Sequence, residues 1–251
     1  MKNYNILLCA DENYLKFAAV LMTSIVLNAD KSQSFENLNG VKAGKNQSPL
    51  NQKHLNERFI FHIFSNHLSE QALSKLKQFA LWLSEIFACE IKSYIIDESA
   101  FKGLSTWRGN LLTYYRLKMH EFLPPSVERL LYLDVDMLVL CDVRELFALD
   151  LKDNIAGVVS DFFPTQRVLK HSKNSALDII IKKENYFNAG FLLVDLVKFK
   201  EEKIGEKAVE FLKNYENFFA DQDCLNAVLQ GKTLMLDLSF NFQLSRLKAF
   251  R

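Results

Sequence analysis

Two acids one residue apart, Asp134 and Asp136, interrupt the stretch ERLLYLDVDMLVLCD, in which Leu130 to Cys141 is otherwise an apolar run broken only by Tyr132. Taking a carboxylate out of water without a partner costs on the order of several kcal/mol, so a cation, hydrogen-bond donors or protonation must compensate the pair. Residues two apart on an extended strand point to the same face, and Asp134 and Asp136 converge if the strand conformation persists through them. A shared hard cation, Mg²⁺ or Mn²⁺, is a natural partner, because such ions take oxygen ligands and are commonly held by one or two carboxylates plus substrate phosphates. The chemistry this implies is handling of a diphosphate substrate. The structural alternative is that one Asp caps a turn while the other meets a basic side chain. A second alternative is a phosphatase in which the first Asp is a nucleophile, although the pair lies mid-chain.

The elements that must position these acids read as an alternation of strand and helix. YNILLCA is a buried strand, and NYLKFAAVLMTSIVLNA carries apolar residues at helical spacing. RFIFHIFS, a helix from about Ser69 to Phe87, and the strand IKSYII follow. TYYRLKMHEFL gives a short helix stopped by Pro124 and Pro125. Beyond the acidic strand, NIAGVVS and YFNAGFLLVDL are strands, IGEKAVEFLKNYENF is an amphipathic helix, and DQDCLNAVLQG is a helix with Asp221 near its start and Gly231 past its end. This order predicts an α/β fold with a mostly parallel central sheet flanked by helices, in which ligands bind beyond the carboxyl ends of the strands. Two stretches stand apart. Residues about 30–57 are a polar insertion rich in Asn, Gln, Ser and Lys, and residues about 164–184 are polar, basic and irregular, the pattern of a lid loop.

Composition narrows the function. The 251 residues hold 31 Lys plus Arg against 30 Asp plus Glu, which gives no global footprint for nucleic acid. The 21 Phe read as core packing, since no basic stripe accompanies them. Cys9, Cys89, Cys141 and Cys224 form no CxxC pair and read as buried reduced thiols of a cytosolic protein. His54, His62, His67, His120 and His171 show no metal-ligand spacing. The apolar run at the N-terminus is too short for a signal sequence, and no window approaches the roughly 18 apolar residues of a membrane span.

Taken in order, CADENY, TYYRLKM, LLYLDVDMLV, YFNAGFLLVDL and DQDCLN resemble the corresponding blocks of glycosyltransferase family 8, including bacterial lipopolysaccharide galactosyl- and glucosyltransferases, over nearly the whole chain. The resemblance implies a GT-A-like nucleotide-diphospho-sugar transferase fold as one catalytic domain over residues 1–251. It implies transfer of galactose or glucose from UDP-galactose or UDP-glucose, with retention, to a saccharide acceptor that is lipid-linked and belongs to lipopolysaccharide biosynthesis. A cytoplasmic location with peripheral contact at the inner membrane face goes with that acceptor; no nucleic acid is involved.

Carried over residue by residue, the resemblance places Cys9, Ala10, Asp11 and Asn13 around the uridine and ribose, although Asp11 can also cap the next helix. It makes Arg116 a donor-contacting arginine, where the structural alternative is a snorkelling surface side chain. Asp134 and Asp136 become ligands of Mn²⁺ or Mg²⁺, with Val135 between them at the donor. Asp161 is assigned to sugar or acceptor, and Asn188 and Ala189 to donor hydroxyls, with Gly190 permitting close backbone approach. Asp221 and Gln222 fall beside the anomeric carbon, where the Gln222 oxygen is a poor nucleophile and instead stabilises an oxocarbenium-like state. A helix-dipole role is the alternative for Asp221. The chain reads as C-terminally short, since it ends at SFNFQLSRLKAFR without the family's downstream His-x-x-Gly-x-x-Lys-Pro-Trp block. A catalytically weak or inactive UDP-sugar-binding relative is therefore the alternative expectation.

Overall fold

A computed structural model of the chain describes residues 1–38, 56–104, 111–162, 166–216 and 219–245. The described residues form an α/β fold whose mostly parallel sheet has seven strands. The chain groups into two compact units, each drawn from two segments: Met1–Ile96 with Leu133–Asp150, and Asp97–Tyr132 with Leu151–Arg251. Because the segments interleave, no composition shift or linker marks this division in the sequence, which reads as one domain.

In the first unit β1 (Lys2–Cys9) leads through α1 (Leu15–Leu27) and the short α2 (Phe35–Leu38) to β2 (Glu57–Ser65), α3 (Glu70–Ile86) and β3 (Cys89–Ile95). β1 and β2 run parallel from Lys2 opposite Glu57 to Cys9 opposite Phe64, and β2 runs parallel to β3 from Phe59 opposite Cys89 to Ser65 opposite Ile95. Tyr4, Ile6, Leu7, Leu8, Phe59, Phe61, Ile63 and Phe64 are buried throughout, which is why consecutive residues rather than alternate ones are apolar. Ser69 starts α3 by accepting the Ala72 N–H at 3.2 Å, and Glu70 in the first turn suits the helix dipole.

In the second unit a 3₁₀ turn over Leu112–Lys118 runs into α4 (Met119–Phe122), which stops before Pro124. β4 (Arg129–Leu133) follows, its last residue beginning the second segment of the first unit. Next come β5 (Ala156–Ser160), β6 (Arg167–Leu169), β7 (Ile179–Ile181), β8 (Phe187–Asp195), α5 (Leu196–Glu201), α6 (Ile204–Asn214), α7 (Ala220–Val228) and β9 (Thr233–Met235). β5 pairs antiparallel with β8 and parallel with β9. The β5–β8 register jumps: Val158 faces Leu192 but Val159 faces Asn188, so Ala189, Gly190 and Phe191 are passed over in a bulge.

Several expectations change here. The apolar run from Leu130 is not a strand through to Cys141. It stops at Leu133, a turn follows, and Leu138, Leu140 and Cys141 are exposed. The cause lies in α1: Ser24 Oγ accepts the Val139 N–H at 3.1 Å and Asn28 Nδ2 donates to the Val139 carbonyl at 3.0 Å, so side chains take over the bonds a strand neighbour would make. Burial of all four thiols is accordingly corrected, since Cys224 is buried, Cys9 and Cys89 are half-buried and Cys141 is exposed.

The stretch expected as a lid loop at 164–184 holds an antiparallel ribbon, β6 with β7, in which Val168 faces Ile180; residues 164 and 165 lie outside the described residues. Three-residue strands are too short to show their alternation within a lysine-rich run. Within the polar stretch 30–57, α2 is helical and Glu57 opens β2, while 39–55 lie outside the described residues. Among the described residues no helix is long and apolar enough to cross a membrane.

Candidate functional site

Asp134 is half-buried directly after the last residue of β4, and Asp136 is exposed in the turn that the Met137 N–H closes on the Asp134 carbonyl at 3.3 Å. The extended conformation therefore ends before the pair, and a turn rather than strand alternation presents the two carboxylates, with Val135 buried between them. Their position at the carboxyl end of a strand and their access to solvent suit a hard cation that shares its coordination with water and phosphate oxygens. Among the described residues no group of three or more His, Cys, Asp or Glu side chains could hold a metal ion. Two carboxylates fit Mg²⁺ or Mn²⁺ bound together with a diphosphate.

In the same unit, Cys9 ends β1 and the buried Ala10 continues its pairing by donating its N–H to Phe64 at 3.0 Å. The half-buried Asp11 accepts the Tyr14 N–H on Oδ1 at 2.9 Å, and its carbonyl receives the N–H groups of Tyr14 and Leu15. One carboxylate oxygen thus holds the turn into α1, although the helix-capping position itself is Tyr14. Asn13 is exposed.

The second unit draws a larger group together. At the bulge in β8, Asn188 Nδ2 donates to Asp161 Oδ2 at 3.0 Å and to Gln222 Oε1 at 3.1 Å, and Gln222 Oε1 also accepts the Ala189 N–H at 3.0 Å. Gln222 Nε2 donates to Asp161 Oδ2 at 3.1 Å and to the Tyr186 hydroxyl at 3.2 Å. A backbone N–H can only donate, so the Ala189 bond fixes which end of the Gln222 amide is oxygen. Asn188 Oδ1 accepts in turn from the Gly190 N–H at 3.0 Å and Asn241 Nδ2 at 2.9 Å. The bulge makes this possible, because it releases the Ala189 N–H from ladder pairing with β5.

Asp221, Gln222 and Asp223 follow one another at the start of α7, where successive side chains turn by about 100° and so leave in three directions. Ala220 ahead of them has φ 45°, a left-handed conformation that costs a residue with a Cβ about 1 kcal/mol. Asp221 meets Arg116, with Oδ2 3.0 Å from Nε. The Nε–H is itself aimed at the Thr113 carbonyl at 3.1 Å. Arg116 NH1 donates to the Ala189 carbonyl, and its guanidinium lies 4.1 Å from the centroid of the Tyr132 ring. Both members of the pair are buried. Arg116 thus braces the bulge and the start of α7, which differs from the exposed snorkelling alternative.

Tyr186, Asp223, Arg167, Asn226 and Asn241 were not singled out by sequence reasoning. Asn226 does have a signal: it lies four residues after Gln222 on α7, hence on the same face, and brackets Phe187 by accepting its N–H and donating to its carbonyl, both at 2.8 Å. Asp223 was visible as the second acid of DQD. Arg167 and Tyr186 carry no local signal.

An α/β fold with a mostly parallel seven-stranded sheet is the GT-A-like nucleotide-diphospho-sugar transferase fold. The sequence matches the family model described as Glycosyl transferase family 8 over residues 5–249, and the chain belongs to that family. It is 31% identical to a lipopolysaccharide 1,3-galactosyltransferase of Salmonella typhimurium over 74% of this chain and 55% of the relative. It is 30% identical to a lipopolysaccharide 1,2-glucosyltransferase of Escherichia coli over 89% of this chain and 64% of the relative. The chain therefore spans less than two thirds of the length of these curated relatives. In fold it is similar to the galactosyltransferase LgtC solved with donor and acceptor sugar analogs, with a TM-score of 0.63 and 22% identity over 93% of this chain and 73% of that one. The glycosyltransferase GlyE of Streptococcus pneumoniae gives 0.65 and 18% over 99% of this chain and 49% of that one.

Proposed function

We propose that the chain is a retaining, metal-dependent hexosyltransferase that moves galactose or glucose from a UDP-sugar to a saccharide acceptor. The observation that carries this reading is the joining of Asp161, Asn188, Ala189 and Gln222, each expected at the sugar, into one hydrogen-bonded group on a bulged strand. In this reading Cys9, Ala10, Asp11 and Asn13 receive the uridine and ribose. Asp134 and Asp136 hold Mn²⁺ or Mg²⁺, which when bound supplies positive charge against the diphosphate of the departing UDP. Asn188 and Asp161 orient sugar hydroxyls, while Arg116 and Asp221 act from behind by fixing Ala189 and α7. The Gln222 carbonyl dipole stabilises positive charge growing at the anomeric carbon.

The acceptor hydroxyl attacks on the face from which UDP departs. Its oxygen forms the new glycosidic bond as the carbon–oxygen bond to phosphate breaks, and its proton passes to the departing phosphate oxygen. Retention follows from entry and departure on one face.

A lipid-linked saccharide of lipopolysaccharide biosynthesis is the acceptor class, by likeness to the two relatives above, with the enzyme in the cytoplasm and in peripheral contact with the inner membrane face. Release of UDP from UDP-galactose and UDP-glucose, measured with and without Mn²⁺, tests the reaction. Turnover that requires Mn²⁺ and is lost in Asp134→Ala plus Asp136→Ala supports it. UDP binding without turnover of either donor identifies a binding-only relative, and phosphate release from a phosphomonoester revives the phosphatase alternative.

A further inference from the structure

Asp223 is fully buried, yet the reaction above gives it no role. Its carboxylate is gripped by Arg167, whose NH2 lies 3.1 Å from Oδ1 and 2.9 Å from Oδ2, and Oδ2 also accepts the Phe219 N–H at 2.9 Å. Oδ1 receives the Tyr186 hydroxyl at 2.7 Å. Because Tyr186 spends its only hydroxyl hydrogen on Asp223, its oxygen is left to accept from Gln222 Nε2 at 3.2 Å. The bonds run in one direction, from Gln222 through Tyr186 to a carboxylate anchored by Arg167.

That direction matters to the Gln222 amide. Rotating it by half a turn would set N–H groups against the Ala189 N–H and Asn188 Nδ2, and oxygen against the Asp161 carboxylate and a hydroxyl with no hydrogen to offer. A reversed amide would also present its positive end to any cationic centre the unrotated oxygen is placed to stabilise.

We propose that Arg167, Asp223 and Tyr186 are positioning residues that, together with the Ala189 N–H, hold the rotation of the Gln222 amide, a role that rests on the catalytic reading of Gln222 given above. Arg167 belongs to β6, and its guanidinium stacks 5.0 Å from the Phe219 ring centroid, so the β6–β7 ribbon carries the outer anchor of this chain of bonds. Burial first, and then the neighbouring Asp223 charge, push the Tyr186 phenol well above its ordinary pKa, so it keeps its proton across the working range.

The test uses the full chain and reads the Gln222 side-chain amide protons by ¹H–¹⁵N correlation, assigned by their disappearance in Gln222→Ala. Tyr186→Phe removes one hydroxyl and retains the ring, so it is the variant least exposed to misfolding; Asp223→Asn and Arg167→Lys complete the set. In folded Tyr186→Phe and Asp223→Asn the Gln222 amide protons shift and exchange with solvent at least about tenfold faster, whereas Arg167→Lys, which keeps the charge, lies between these variants and the parent. In turnover, kcat falls about ten- to a hundredfold with the KM for UDP-sugar within about twofold, and Tyr186→Phe adds no further loss in a Gln222→Ala background. Unchanged amide signals in folded Tyr186→Phe and Asp223→Asn overturn the proposal, as does an additive loss in the double variant. If Gln222→Ala turns over like the parent, or the parent does not turn over, the catalytic reading of Gln222 fails, and the amide signals still decide whether these residues position it.

Discussion

Among the described residues two arginines are buried, one in each compact unit, and they serve opposite purposes. Arg144 is enclosed completely. Its guanidinium meets Asp142 through NH2 at 2.6 Å and Glu57 through NH1 at 2.9 Å, and it donates to the carbonyls of Gln33 and Asp30 at 3.2 and 2.7 Å. Glu57 is completed by the Tyr4 hydroxyl at 2.7 Å and the Phe35 N–H at 2.9 Å. These partners flank the polar stretch that precedes β2, so Arg144 is a clamp on the fold. Arg116 instead braces a bulge and the start of a helix whose next residue is Gln222. Burial and charge pairing are common to both, and so neither identifies a site. What separates them is irregular backbone, the β8 bulge and the left-handed Ala220, beside groups suited to sugar hydroxyls.

Removing one partner from the Arg144 cluster tests its half of the comparison most severely. Arg144→Met strands the Glu57 and Asp142 carboxylates in the interior, and an unpaired buried charge costs about 3–5 kcal/mol. Urea unfolding should show a loss of that size, with UDP affinity retained by whatever fraction stays folded. A loss below about 1 kcal/mol, the scale of exposed ion pairs, would remove the distinction drawn here.

A buried base in the same unit sharpens the point through pH. His62 in β2 lies 3.0 Å from the Tyr94 hydroxyl and 3.1 Å from Asn5 Oδ1, without a carboxylate partner. Burial, and then the Lys92 charge, lower its pKa to about 4. The unfolded chain therefore takes up this proton below its ordinary pKa of about 6.5, whereas the folded chain does so only near 4. Stability is full above the higher value, falls as pH drops from about 6.5 to 4, and levels off below, an effect on the order of 3 kcal/mol. His62→Gln should flatten that part of the urea-midpoint profile; an unaltered slope would assign it to other groups.

Gln222→Ala probes the other half. It leaves the Ala189 N–H without its acceptor and removes one of the two acceptors of Asn188 Nδ2, the other being Asp161, which costs about 1–2 kcal/mol of stability. On the role proposed for Gln222, loss of an oriented dipole at a charged transition state should lower kcat about a hundredfold, the scale seen when a single stabilising group is removed. Steady-state rates with UDP-galactose and UDP-glucose, scaled to folded protein, separate these effects. Equal losses of rate in Arg144→Met and Gln222→Ala, after that scaling, would erase the contrast between clamp and site.

How far the sequence discloses this contrast depends on where each partner lies. The first three strands are legible because parallel strands buried on both faces must be apolar at nearly every position. The acidic pair is legible in place, at the end of RLLYL, but not in conformation, since DVDM contains no Gly or Pro to announce the turn after Leu133. Asn188, Ala189, Asp161 and Gln222 could be named, yet their mutual bonds depend on a bulge that passes over Ala189 to Phe191 and is marked in the sequence by no more than Gly190. The partner of Arg144 at Glu57 is 87 residues away, and Arg167 sits in a polar, basic run that reads as a lid loop. Residues that act through distant partners are the ones a single sequence conceals.

The smallest expected effect sets the floor for the comparison. Ser69 also supplies a polar side chain to an otherwise orphaned group in the unit that contains Arg144, since its hydroxyl accepts the Ala72 N–H at the start of α3. It stands at the surface, where its hydroxyl also reaches Glu12 at 2.7 Å, so water can replace the cap once the hydroxyl is gone. Ser69→Ala should therefore cost about 1 kcal/mol, the usual loss for a helix cap, several-fold below Arg144→Met. The two substitutions remove hydrogen-bonding groups from the same unit and differ in whether solvent can reach the partners left behind. If urea unfolding gives them equal losses, access to water is not what sets the cost, and the account of Arg144 as a clamp made expensive by its enclosure is wrong.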